Sequence, residues 1–165
     1  NGELQVRGPT VMTGYHGDPE ATARAFSDDG WLRTGDHGRV DAAGGVHLEG
    51  RLADRLPGPE GLDLAGIDAD LKVRGAPATL TCRRPEGAGL VAFTVRPRSG
   101  GNVPSPATLR TILRTWNAAH EPSQNIVQMA IVDEPLSTTD GTCTPTLAPV
   151  RHAIFARYHD RLRPV

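Results

Sequence analysis

The stretch ATLTCRRPEGAGLVAFTVR (Ala78–Arg96) decides the architecture of the chain. Val91, Phe93 and Val95 fall on one face of an alternating run, the period-two pattern of a strand. PEGAG (Pro85–Gly89) is turn chemistry between two β-rich segments, so Ala78–Arg84 and Leu90–Arg96 are expected to form a hairpin. Upstream, Ile67–Val73 reads as a helix. Downstream, Ser105-Pro106 places a capping side chain before a proline at the first helical position. Leu109, Ile112, Leu113, Trp116 and Ala119 then follow one helical stripe. Ile126–Val132 is a third strand, and Val150, Ile154, Phe155, Tyr158 and Leu162 outline a closing amphipathic helix. The order helix, strand, strand, helix, strand, helix predicts a small α+β domain: a three-stranded sheet with packed helices.

The first fifty residues have a different texture. Gly2–Val6 is a strand candidate, and Pro19–Phe26 fits a short helix capped by Asp18. Short strands at Trp31–Arg33 and Val46–Glu49 stand between the turn signals DDG, TGD, DAAGG and GR. So little apolar sequence cannot close a core alone, and the segment reads as the β-rich edge of a larger domain.

Composition narrows the classes. With 165 residues and a formal net charge of -1, the chain has no basic footprint for nucleic acid or an anionic membrane surface. Its longest apolar runs, such as GLVAFTV (Gly89–Val95), are too short to span a bilayer, and no signal-peptide pattern opens the sequence. Cys82 and Cys143 show no metal-binding spacing, so no metal site is expected and a cytoplasmic setting is the default. The six histidines are scattered singly, as surface or packing residues are. Of the 18 basic residues, Lys72 is the sole lysine, a bias that suggests a GC-rich, actinobacterium-like source.

Three groups of motifs carry a family resemblance. GEL, GPTVMTGY and PEATARAF are followed by DGWLRTGDHG and then GRLAD, in that order. Near the other end, WNAAHEPSQNIVQMAIVDEPLSTTDGTCTPTLAPVRHAIFARY closes on TPTLA (Thr144–Ala148). These stretches resemble the adenylate-forming superfamily, and the last resembles its long-chain acyl-CoA ligase branch. The resemblance implies the C-terminal edge of a large AMP-binding domain at residues 1–50, a hinge at 51–55 and a C-terminal lid domain at 56–165. It also implies two half-reactions: a carboxylate and ATP give acyl-AMP, and the thiol of coenzyme A then takes the acyl group. The phosphate loop of such enzymes would lie in an N-terminal domain outside this sequence, the chain's implied partner.

By the same resemblance, Asp36 in TGD matches the carboxylate that holds the ribose hydroxyls, a role suited to an acceptor-only group. Arg51 matches the arginine that supports the ribose and phosphate end. Ala53 stands at the hinge position, which is commonly Asp or Lys. Gly58 and Gly61 fall in the loop that lines the pantetheine tunnel, where a missing Cβ lets backbone approach a ligand. Ala148 stands where the family's adenylation lysine belongs.

That substitution directs the functional reading. The lysine bridges the attacking carboxylate and the α-phosphate, and losing such a preorganised charge costs about 3–4 kcal/mol, roughly 10²–10³ in rate. Drift toward GC-rich codons would have left arginine; alanine removes the charge altogether. The expectation is therefore an enzyme favouring acyl-AMP plus coenzyme A over adenylation, with use of ATP and Mg2+ called into question. A separate adenylating enzyme would then supply the acyl-AMP. Two alternatives stand beside it: a catalytically silent homologue or partner-binding lid module, and an ordinary ligase with an introduced lysine-to-alanine change.

Overall fold

The computed structural model of the chain describes residues 2–56 and 63–165. Its contacts divide it into two compact units, Asn1–Pro57 and Gly58–Val165.

In the first unit, β1 (Glu3–Val6), β2 (Leu32–Val40) and β3 (Val46–Arg51) form an antiparallel sheet in that order. The helix α1 (Pro19–Ala25) begins where expected: Asp18 accepts from the Ala21 amide at 2.8 Å, and Pro19 occupies the first turn. The strand expected at Trp31–Arg33 is longer, running to Val40, because TGD does not end it but bulges within it. Among the described residues of this unit only Gly38 and Leu56 are buried. Val40, Val46 and Leu48 are 60–67% exposed, so this sheet shields little apolar surface by itself.

The second unit holds the packed core. The helix α2 (Leu64–Val73) is capped by Asp63, and α3 (Pro106–Ala118) by Ser105, whose hydroxyl accepts from the Thr108 amide at 3.1 Å. β4 (Thr79–Arg83) and β5 (Leu90–Val95) form the predicted hairpin. Gly89 sits at φ +89°, where an added Cβ would lie 2.9 Å from the Asn125 carbonyl, so the turn demands glycine. After the α3 crossover, β6 (Ile126–Val132) pairs in parallel with β5. All six residues of β5 are buried, as a central strand covered on both faces requires. α2 packs on β4 and α3, α3 on β6, and α4 (Arg151–Tyr158) on β4. Val91, Phe93, Val95, Val132, Ile154 and Tyr158 belong to one core cluster.

Three details depart from the sequence reading. The sheet gains a fourth strand, β7 (Arg163–Pro164), on β6, giving the order β4-β5-β6-β7. The closing helix stops at Tyr158. Leu162 follows a 3-10 turn (His159–Arg161) yet still packs on the core, so its apolar spacing comes from tertiary packing and not from helical phase. Ala119 is the C-cap of α3 and exposed, because the buried stripe ends at Trp116, against which His120 stacks at 3.9 Å.

Candidate functional site

The TGD segment is a built bulge. Leu4 faces Asp36 and Gln5 faces Arg33, which leaves Thr34 and Gly35 unpaired in the β1–β2 ladder. Side chains satisfy the orphaned groups. The Thr34 hydroxyl donates to the Leu4 carbonyl at 2.6 Å and accepts from the Asp36 amide at 3.0 Å, while Glu3 accepts from the Gly35 amide at 3.2 Å. Gly35 has φ +68°, and an added Cβ would meet the Arg51 guanidinium at 3.2 Å. Glycine here serves both the turn and the arginine.

Asp36 and Arg51 are register partners across β2 and β3. The Arg51 Nη1 donates to Asp36 Oδ1 and, at 3.1 Å, to the Thr34 carbonyl. Among the described residues Asp36 Oδ2 has no partner. One carboxylate oxygen is thus pinned while the other stays available to a hydroxyl, and Arg51, 61% exposed, keeps donors toward solvent. That donor set fits a sugar diol flanked by a phosphate. Beside it, Arg55 donates to His37 Nε2 at 2.6 Å, so that nitrogen accepts and Nδ1 donates to Glu49 at 3.0 Å. Ala53 lies exposed on a single-turn 3-10 helix (Leu52–Asp54) just after β3. Gly58 and Gly61 lie outside the described residues.

The second assembly is the TPTLA loop, which folds as a narrow closed hairpin. The Val150 amide donates to the Thr142 carbonyl at 2.9 Å, Cys143 bridges to Pro149, and the Thr144 amide donates to the Ala148 carbonyl at 2.8 Å. The Thr144 hydroxyl accepts from the Ala148 amide at 3.1 Å, and Leu147, at φ +64°, turns the tip. Every one of these bonds uses backbone or threonine oxygen. None involves the side chain at 148, which is exposed. The loop closes on its own backbone whatever residue occupies that position.

The next basic residue along the chain, Arg151, faces inward. It pairs with Asp68 at 2.9 Å, both side chains about 15% exposed, and donates to the Thr81 carbonyl at 2.6 Å. Asp68 also accepts from the Thr81 amide and hydroxyl at 2.6 and 2.8 Å. Burial holds the Asp68 carboxyl above its ordinary value, against the lowering pull of Arg151 and Thr81. This knot anchors the start of α4, and with it the base of the hairpin, to α2 and β4. No local pattern announced it, since residues 68, 81 and 151 are far apart in the chain. The bulge supports, Thr34 and Glu3, were likewise unreadable, although the Thr-Gly-Asp turn itself hinted that something must satisfy its backbone. Among the described residues no cluster of histidine, cysteine or carboxylate side chains could hold a metal ion. No described helix is long and apolar enough to cross a membrane.

Against known proteins, no protein-family model matches the chain. A methyl-dioxo-octahydroindenyl-propanoyl:CoA ligase of Mycobacterium tuberculosis is 56% identical over 54 residues, 33% of this chain and 11% of its own length. A chloroplastic long-chain-fatty-acid acyl-carrier-protein ligase of Arabidopsis thaliana is 29% identical over 98% of this chain and 25% of its own. Among solved structures, ATP-bound MatB of Rhodopseudomonas palustris superposes with a TM-score of 0.64 at 25% identity, over 96% of this chain and 30% of MatB. The chain thus spans a third or less of the length of the proteins it matches. Its relatives and structural neighbours are members of the adenylate-forming superfamily, and the chain corresponds to their C-terminal part. Acyl-CoA and acyl-carrier-protein ligases and nonribosomal peptide synthetases are all among those relatives.

Proposed function

We propose that this chain is the C-terminal part of an acyl-CoA ligase specialised for the thioester-forming half-reaction, with adenylation impaired. The observation that carries the reading is Ala148 on an intact hairpin: the stalk is built, and the cation is absent. Arg151 cannot stand in, because its guanidinium is committed to Asp68 and Thr81. Without that charge the attack of a carboxylate on the α-phosphate of ATP loses about 3–4 kcal/mol of transition-state stabilisation.

The second half-reaction makes no such demand. Acyl-AMP is an activated mixed anhydride, and the remaining work is to position a thiol and stabilise the acyl oxyanion. The thiol sulfur of coenzyme A attacks the acyl carbon, a C–S bond forms and the C–O bond to phosphate breaks. AMP leaves with both electrons of that bond, and the thiol proton passes to solvent. Asp36 and Arg51 would hold the ribose and phosphate of the adenylate through both steps. Residues 1–50 would be the edge of the AMP-binding domain, 51–55 with Ala53 the hinge, and 56–165 the lid, with Gly58 and Gly61 in the coenzyme A tunnel. The acyl-AMP would come from a separate adenylating enzyme.

The test gives the full-length protein either a fatty acid with ATP and Mg2+, or the synthetic acyl-AMP, with coenzyme A in both. Thioester is expected only from acyl-AMP. Rapid thioester formation from acid plus ATP would overturn the reading, and no product from either would favour a silent homologue.

A further inference from the structure

The second unit contains an apolar cavity of about 240 Å3, walled by β4, β5 and the loop that follows β6. Leu80, Val95, Leu136, Cys143, Leu147 and Pro149 supply most of its lining. Ala78 and Leu147, both also lining it, are the two non-glycine residues with left-handed backbone among those described, at φ +58° and +64°. Each such residue costs about 1–2 kcal/mol and persists only where its surroundings over-determine it. Strain therefore gathers at this cavity and at neither sheet interior.

Two arginines stand on its rim, and they differ. Arg96 is spoken for: it donates to the Asp133 carbonyl at 3.0 Å and to its carboxylate at 3.2 Å. Arg98 donates from Nε and Nη2 to the single carbonyl of Leu136, at 3.0 and 2.8 Å, which fixes the plane of its guanidinium. No carboxylate pairs with Arg98 among the described residues. An apolar pocket with one oriented, uncompensated guanidinium at its mouth is complementary to an amphipathic anion.

We propose that this cavity binds a medium-chain aliphatic carboxylate, its head group on Arg98 and its chain beneath Leu147. The size fits: at about 240 Å3 the cavity falls below the roughly 300–1,000 Å3 of drug-sized sites, which leaves room for an aliphatic chain. Leu147 and Pro149 flank Ala148, so an occupant would brace the hairpin tip from below. The site is lined by residues of the second unit alone and does not depend on which half-reaction the enzyme performs.

Titration of the 165-residue chain with octanoate, octanol and acetate, followed by methyl NMR, tests this. Octanoate should shift the methyls of Leu80, Val95, Leu136 and Leu147 with a dissociation constant below about 1 mM. Octanol should bind the same methyls about tenfold more weakly, and acetate should leave them unmoved. Arg98→Gln should bring octanoate down to the affinity of octanol while octanol is unchanged, which also certifies that the cavity survives the substitution. Equal binding of octanoate and octanol to the unaltered chain, or shifts confined to other methyls, would overturn the proposal. So would octanoate binding to this chain that vanishes in the full-length protein, since another segment would then fill the cavity.

Discussion

The Asp36–Arg51 pair and the 142–150 hairpin are built by the same device but use their side chains differently. Each is a tight backbone turn whose orphaned groups are satisfied by threonine: Thr34 in the bulge, Thr144 in the hairpin. In the bulge the charged side chains are part of the closure, because Arg51 donates both to Asp36 and to the Thr34 carbonyl. In the hairpin the side chain at 148 takes no part in closure. The side chain at 148 can change without disturbing the hairpin's frame, whereas removing Arg51 would strip the Thr34 carbonyl and Asp36 of a donor. Closure and charge are coupled in one region and separable in the other.

The sharpest way to break that comparison is to place a cation at the hairpin tip. Ala148→Lys in the full-length protein should raise adenylation, measured as ATP–pyrophosphate exchange, by roughly 10²–10³, since the stalk is already formed. A neutral result would count against position 148 as the residue that limits adenylation. The anchor of the hairpin comes next. Asp68→Ala removes the carboxylate that pairs with the largely buried Arg151 guanidinium and should destabilise the second unit by about 3 kcal/mol in urea unfolding. Asp68→Asn should cost less, because it keeps an oxygen acceptor for Thr81 and Arg151.

The same residue carries a pH signature. Its folded pKa lies above the unfolded value of 3.8, chiefly through burial. As pH rises past 3.8 the unfolded state ionises first, so the Asp68 contribution to stability falls across the window up to its folded pKa. Asp140 has the opposite sign: the Thr142 hydroxyl and amide hold it below 3.8, and its contribution fades as pH drops through that lowered value. The smallest effect concerns the hairpin itself. Thr144→Val removes the acceptor for the Ala148 amide and should cost about 1 kcal/mol, seen as faster exchange of that amide with little global change.

Local pattern made the second unit's fold legible. The Val91–Val95 alternation, the PEGAG turn, the Ser105-Pro106 helix start and the α3 stripe all depend on neighbours in sequence, and all appear as strands, turn and helix. Asp36 and Arg51 could be picked out one at a time, each from its own motif, and the structure brings them together as register partners.

What the sequence alone determined, then, is the order of elements, the family likeness and the absence of a cation at position 148. Tertiary structure decided three things: that Asp36 and Arg51 meet, that Arg151 is locked onto Asp68, and that the 142–150 hairpin closes without help from the side chain at position 148. The physical reason is range. Helix caps, turns and strand alternation act over a few residues and leave marks in the local order. An ion pair between residues 68 and 151, or a bulge closed from another strand, is set by how distant elements pack.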